Sequence, residues 1–363
     1  MRKINFNAGP AQLPLPVLER AQAEFLDYQK TGVSMLEHSH RGPVYDKVHE
    51  DAMALFSELL GVPKSHAVIM LQGGASLQSA MIPMHFLRPG TSADYLVTGH
   101  WAKMSFEEGG RVGKVRKACD TAGPDGKHVR LPRPEEIEID PKAAYVHLTS
   151  NNTIFGTQWH SWPDTKGVPL AADMCSDILS RPLDVSRFAF LYAGAQKNLG
   201  PAGIAVVVVD REWLKTARTD MPDILNYQVH LAARSIYHTP PTFAVYLLGL
   251  QLQWIKANGG AAGMAKRNKA KAEHLYGALD GLSGFYKAPV EKASRSLMNA
   301  VFHLPTPELD DEFCREAEKK AGLVGMKGHR ASGGIRVSIY NAVSFDDVKA
   351  LTSFMADFAK RKG

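Results

Sequence analysis

Cysteine is scarce. Cys119, Cys175 and Cys314 are the only three, and they stand far apart with no CxxC spacing, so neither a disulfide framework nor a thiolate metal site is suggested. Long apolar runs are missing as well. The purest one, Ile204 to Val209, is far too short to span a bilayer, and the opening MRKINFNAGP has two basic residues with no apolar stretch behind them. There is no internal repeat and no low-complexity tract. The net charge of +6 gathers densely in one place, Lys266, Arg267, Lys269 and Lys271, where no stacking aromatic occurs before Tyr276. That cluster reads as the solvated face of an exposed helix and not as a nucleic-acid surface. These absences leave a cytoplasmic, reducing compartment, no metal, no membrane and no nucleic-acid partner as the expectation.

The remaining composition, 45% hydrophobic and 22% charged over 363 residues, is that of an ordinary globular protein of two domains, at about 150 residues per domain. Between about residues 43 and 210, helical patterns alternate with short apolar runs bounded by Gly, Pro or Asp, the signature of an α/β fold with a mostly parallel sheet. The expected strands are His66–Leu71, Asp94–Thr98, Ala143–Leu148, Val168–Ala172, Phe190–Ala193 and Ile204–Val209. Helices are expected at Val44–Leu60, Ala75–Phe86 and Trp101–Gly110. After Thr239-Pro240-Pro241 a helical pattern runs from Thr242 to about Ala257 and stops at Gly259-Gly260, and a second follows over Ala262–Leu279. Strands at Asn299–Leu304 and Ile335–Ile339, with helices at Asp310–Ala321 and Phe345–Lys360, suggest a smaller α+β unit. The division expected is a large domain over 10–259 and a small one over 260–363, with segment 1–9 packing on the small one.

In an open parallel sheet, ligands bind beyond the carboxyl ends of the strands, and three such ends carry chemistry. At Leu71-Gln72-Gly73-Gly74-Ala75-Ser76 a strand stops at two glycines and a helix begins; this is either a tight connection or a place where free amides bind a phosphate. At Ala171-Ala172-Asp173 a carboxylate ends a buried run, where it caps a turn or meets a cation, since an unpaired buried charge is costly. At Tyr192–Gly203 a lysine, Lys197, leaves a buried strand in a glycine-rich loop, where desolvation favours the neutral amine that forms imines. One ligand uses all three: pyridoxal phosphate has a phosphate, a ring nitrogen that must stay protonated, and an aldehyde.

Six segments, FNAGPAQLP at Phe6–Pro14, SHRG at Ser39–Gly42, AGAQKNLGPAG at Ala193–Gly203, HTPPTF at His238–Phe243, KGHR at Lys327–Arg330 and GGIRVSIYNA at Gly333–Ala342, together resemble the class V aminotransferases of the fold-type-I pyridoxal-phosphate family. The resemblance covers essentially the whole chain and is nearest to the branch that transaminates phosphoserine. It implies that Lys197 holds the cofactor covalently and moves the proton, while Asp173 pairs with the ring nitrogen. Gly74, Ala75, Ser76 and Gln196 would bind the cofactor phosphate, helped by His238 and Thr239 from the other subunit of a homodimer. Trp101 would stack on the ring and Thr153 would bond its phenolic oxygen. Arg336 would take the substrate α-carboxylate, with His40, Arg41, His329 and Arg330 around the substrate phosphate, His40 and Arg41 from the neighbouring subunit.

The implied reaction is a ping-pong transamination from glutamate to 3-phosphohydroxypyruvate, giving phosphoserine and 2-oxoglutarate; whether a phosphorylated precursor of vitamin B6 also serves stays open. Two positions depart from the family pattern: Ala8 stands where some relatives carry serine, and His238 where asparagine is common. A desulfurase of the same fold would need a cysteine on a mobile loop and a histidine before the lysine, but Gln196 precedes Lys197. An alanine–glyoxylate type of transaminase would have no use for five cationic groups at the substrate. Without the resemblance, His38-Ser39-His40 would read as a polar loop or a weak metal site and Arg330 as a surface residue.

Overall fold

A computed structural model describes residues 2–363. The chain begins with strand β1 (Ile4–Asn5) and helices α1 (Leu15–Ala23) and α2 (Pro43–Leu60). Alternation then sets in: β2 (His66–Leu71), α3 (Gly74–Phe86), β3 (Ser92–Val97), α4 (His100–Val112), β4 (Lys114–Asp120) and β5 (Val146–Thr149). A short hairpin of β6 (Asn151–Asn152) and β7 (Thr157–Gln158) precedes β8 (Leu170–Asp173), β9 (Phe190–Gly194) and β10 (Ala205–Asp210). Helices α5 (Arg211–Lys215), α6 (Tyr227–Ala232), α7 (Thr242–Ala257) and α8 (Gly260–Gly281) lead to the last part, β11 (Asn299–Phe302), α9 (Pro307–Ala321), β12 (Leu323–Val324), β13 (Ile335–Ser338) and α10 (Phe345–Lys362).

The helix ends follow local chemistry. Pro43 opens α2 and Gly61 closes it in the left-handed region at φ 70°. The Thr306 hydroxyl accepts from the Leu309 amide at the start of α9, and Ser344 with Asp347 forms a capping box on α10.

Seven strands form the main sheet in the order β2-β10-β9-β8-β5-β3-β4. All neighbours are parallel except β10, which runs antiparallel to both β2 and β9. The expected mostly parallel α/β architecture is therefore present. Alternation along β10 explains its unbroken valine run: Val206 and Val208 join the core under α2 and α7, while Val207 and Val209 join the core under α3 and α6. A strand covered on both faces has no polar side to show. A separate core gathers Phe6, Leu275 and Leu279 of α8, the β11 and β13 residues Phe302 and Val337, and the inner faces of α9 and α10. Segment Ile4–Asn5 reaches this second core by pairing in parallel with Leu323–Val324.

Two expectations need correction. Strand β4 went unread because Lys114, Arg116, Lys117 and Asp120 break its apolar pattern; it is the sheet's edge, where one side of the strand meets solvent. The second concerns Lys271, which is not part of a solvated face. It is 1% exposed, and its Nζ donates to the carbonyls of Ile339, Tyr340 and Val343 at 2.7–2.9 Å. Burial pulls the Lys271 ammonium down to about 7, and three acceptors, one for each N–H, hold the proton against that pull. Lys266, Arg267 and Lys269 do lie toward solvent. Among the described residues no helix is long and apolar enough to cross a membrane.

Replacing Lys271 by methionine strands three buried carbonyls. We expect it to cost about 3 kcal/mol, read as a lowered thermal midpoint, whereas Lys269→Met on the exposed face leaves the stability within about 0.5 kcal/mol of the parent.

Candidate active site

The floor of the site is the carboxyl edge of the main sheet. Thr149 of β5, Asp173 of β8 and Tyr192 of β9 sit side by side in the parallel ladders, so the segments leaving these strands emerge together. The Asp173 carboxylate is 8% exposed and accepts a 2.9 Å hydrogen bond from the Cys175 amide; no lysine, arginine or histidine of the described chain pairs with it. From the next strand end Lys197 crosses the opening, its Nζ donating to Thr153 Oγ1 at 3.0 Å. Thr153 lies in the turn of the β6–β7 hairpin.

Beside them the chain passes from β2 into α3 through Gly73 and Gly74, at φ 83° and 62°. A Cβ on Gly73 would stand 2.6 Å from Leu77 Cδ2, so the turn needs glycine twice over, for its backbone angle and for the close packing. No side chain caps this helix, and its first amides are left for whatever fills the cavity.

A cavity of about 720 Å³ collects these groups: Gly74, Ala75, Ser76, Trp101, Thr153, Asp173, Gln196, Lys197, His329 and Arg336 all line it. Ala8, Gly9 and Pro10 form its roof. A Cβ on Gly9 would touch Lys197 Cγ at 3.4 Å, and the Ala8 carbonyl accepts from the Tyr340 hydroxyl at 2.8 Å. The departure at position 8 thus leaves a backbone contact in place. Trp101 Nε1 is buried with no acceptor in the chain.

Several lining groups were not singled out in the sequence. Cys175 is one: its Sγ accepts from the Gly194 amide at 3.0 Å, and burial, with Asp173 adding to it, raises its thiol well above the usual range, so it is an inert neutral wall residue. Its only signal was its place two residues beyond Asp173. Ser79 and Ser105 bond each other at 3.0 Å and meet the Tyr192 hydroxyl, which in turn meets His147 Nε2 at 3.1 Å. Burial pushes the His147 ring down to about 3, so it is neutral. Inside buried strands and helices such residues look like ordinary core, and nothing in the sequence distinguishes them.

Arg336 is partly buried, reaches the Thr153 carbonyl at 3.5 Å, and has no carboxylate within ion-pair distance among the described residues. Burial lowers its pKa. His329 Nδ1 accepts from the Ala331 amide at 3.1 Å, which leaves Nε2 as the protonated nitrogen of the neutral ring. Burial and the charges of Arg336, His100 and Arg330 hold His329 below the usual imidazole range. This corner is cationic and unbalanced, and it suits an anion.

Five expected residues do not line the cavity in a single chain: His40, Arg41, His238, Thr239 and Arg330. Arg41 and Arg330 are exposed. His238 faces a smaller crevice near Gln72 and Ile204, its Nδ1 buried without a partner, and the Thr239 carbonyl accepts from Gln72 Nε2 at 3.1 Å. Among the described residues no cluster of His, Cys, Asp and Glu could hold a metal ion.

Comparison with known proteins agrees with this geometry. The profile of the class-V aminotransferases matches residues 4–351. The chain is 49% identical to phosphoserine aminotransferase of Herpetosiphon aurantiacus, over 100% of each chain, and 47% identical to that of Bacillus subtilis, over 98% of each. It superposes on the solved phosphoserine aminotransferase from Bacillus circulans subsp. alkalophilus with a TM-score of 0.96 at 48% identity, covering 100% of this chain and 99% of the other. A pyridoxal-phosphate-bound phosphoserine aminotransferase from Trichomonas vaginalis gives 0.92 at 34% identity, covering 98% of this chain and 100% of that one. With an amine, a buried acid and an uncapped helix start converging on one cavity at the carboxyl edge of its sheet, this chain belongs to the class-V aminotransferase family.

Proposed function

We propose that this chain transfers the amino group of glutamate to 3-phosphohydroxypyruvate, forming phosphoserine and 2-oxoglutarate, with pyridoxal 5'-phosphate as its cofactor. The observation that carries the reading is the pairing, in one cavity, of Lys197 and Asp173 with the acid-free cationic corner of Arg336 and His329. The residues present fit the cofactor. Among the described residues no cation uses the capacity of the Asp173 carboxylate, Trp101 Nε1 is buried without an acceptor, the start of α3 has no side-chain cap, and the lysine amine is tied only to a hydroxyl.

Bound there, the cofactor supplies an aldehyde that takes up amino groups and a protonated ring that withdraws electrons from the reacting carbon. Asp173 keeps the ring nitrogen protonated, because a carboxylate in a mostly buried site strongly favours a cation beside it. The amides of Gly74, Ala75 and Ser76 hold the phosphate, with Gln196 beside them. Lys197 is the only lysine in the lining; it holds the cofactor at rest and, once released, carries a proton on Nζ to and from the substrate α-carbon. Thr153 orients that amine and bonds the phenolic oxygen. Trp101 covers the ring. Arg336 grips the α-carboxylate with its planar fork, and His329 with Arg330 takes the substrate phosphate, or the side-chain carboxylate of glutamate in the other half-reaction.

The same reading includes a homodimer in which His40, Arg41, His238 and Thr239 complete the partner's cavity. Support comes from an apolar surface beside these residues: Leu26 is 82% exposed and Leu36 53%, and the Phe25 ring packs 5.6 Å from Phe243, which joins the two segments. Monomers rarely leave such patches open. We also assign residues 10–259 to a cofactor domain and 260–363 to a small domain that segment 1–9 joins, on the strength of their separate cores. Three free cysteines fit a reducing, cytoplasmic setting.

Four measurements test this. Borohydride reduction of cofactor-loaded protein followed by peptide mapping is expected to mark Lys197, and phosphoserine but not serine or alanine is expected to convert the cofactor's absorption band. An unmarked Lys197 ends the transaminase reading, whereas equal conversion by all three amino acids ends only the phosphate preference. Asp173→Asn should lower kcat about a hundredfold or more with the cofactor still bound; a loss under about threefold would remove Asp173 from the chemistry. In sedimentation the active species should be a dimer, and a fully active monomer would cancel the roles given to His238 and Thr239.

A further inference from the structure

His100 opens α4 and stands beside two residues that line the cavity, Trp101 and His329, without lining it itself. Its ring lies 5.6 Å from that of His329, tilted by 48°, and 5.2 Å from that of Trp101, nearly perpendicular at 81°. Among the described residues the His100 imidazole makes no hydrogen bond and no ion pair. His329 faces Arg336 from β13, Arg330 from its own loop and His100 from α4, and every one of these charges works against its protonation. Two imidazoles stand here beside two guanidiniums with no carboxylate among the charges that act on His329, a donor-rich corner that an anion balances.

The anion that suits two rings and an arginine together is a phosphate. It carries about −1.5 to −2 charges near neutral pH and three acceptor oxygens, enough to take one donor from each. A side-chain carboxylate has one charge and two oxygens, and a single guanidinium fork satisfies it. We infer that His100 is a specificity-determining residue that works with His329 to favour a phosphorylated substrate over one ending in a carboxylate. The inference rests on the substrate reading given above and adds to it a residue of α4 whose ring stands 5.6 Å from that of His329.

The test uses the cofactor-loaded enzyme and its His100→Ala and His100→Gln variants, each titrated with phosphoserine and, separately, with glutamate while the cofactor spectrum is followed. His100→Ala should weaken phosphoserine about tenfold, as expected for one hydrogen bond to a charged group, and change glutamate by less than about twofold. Inorganic phosphate, used as a competitor, should lose inhibition in parallel, and glutamine, which keeps an N–H donor, should recover part of the loss. Equal weakening of both substrates would mean that His100 only supports the fold of the site and would overturn the inference, as would no weakening at all. If the parent enzyme itself fails to prefer phosphoserine over serine, the substrate reading falls and takes this inference with it; a parent that discriminates and an alanine variant that discriminates equally well overturn the role of His100 alone.

Discussion

Asp173 lies opposite Tyr192 in the parallel ladder between β8 and β9, so both strands deliver their carboxyl ends to the same edge of the sheet. Were the pair antiparallel, the acid and the lysine that follows β9 would leave from opposite edges. Parallel pairing requires long crossover connections, and these carry the remaining parts: the α3 start after β2, and the β6–β7 hairpin after β5, whose Thr153 meets Lys197. The one strand that breaks the rule, β10, returns the glycine-rich loop after Lys197 to the sheet between β9 and β2.

A second set of interactions brings Arg336 to that edge. Asn198, the neighbour of Lys197, accepts from the Asn341 amide at 3.0 Å and donates to the Ser176 carbonyl at 3.1 Å. Asn268 joins the Ser180 carbonyl and Asn341 Oδ1 at 3.0 and 2.8 Å, and Lys271 gathers the carbonyls on either side of Asn341. The donors of this buried seam are aimed at specific acceptors on both sides of it, so the strand bearing Arg336 has one preferred seating against the large core. Apolar packing alone would tolerate sliding; a set of directed hydrogen bonds does not.

How much of this could be read in the sequence depends on whether a residue's surroundings are local. The valines of β10 are legible because burial on two faces leaves an unbroken run. Lys197 and Asp173 are legible because polar residues that end such runs are conspicuous. Lys271 is not: in its own helix it looks like Lys269 beside it, and only carbonyls some 70 residues further on give it a buried role. His147, Tyr192, Ser79 and Ser105 fail for the same reason, since each is unremarkable in its own element and the network exists only between elements. His40, Arg41, His238 and Thr239 are a different case, because one chain does not bring them to its own cavity.

The roof over Lys197 comes from residues 8–10, while the group that fastens it comes from far later: the Tyr340 hydroxyl holds the Ala8 carbonyl across 332 residues of sequence, and β1 finds its partner only at Leu323–Val324. A chain emerging from the ribosome can therefore build its main sheet, with Lys197 and Asp173 already at the edge, long before the anchors of that roof are available. The reactive pocket is fastened only after Leu323–Tyr340 have been made, so a product truncated before them would keep the floor of the site and leave its roof without these anchors.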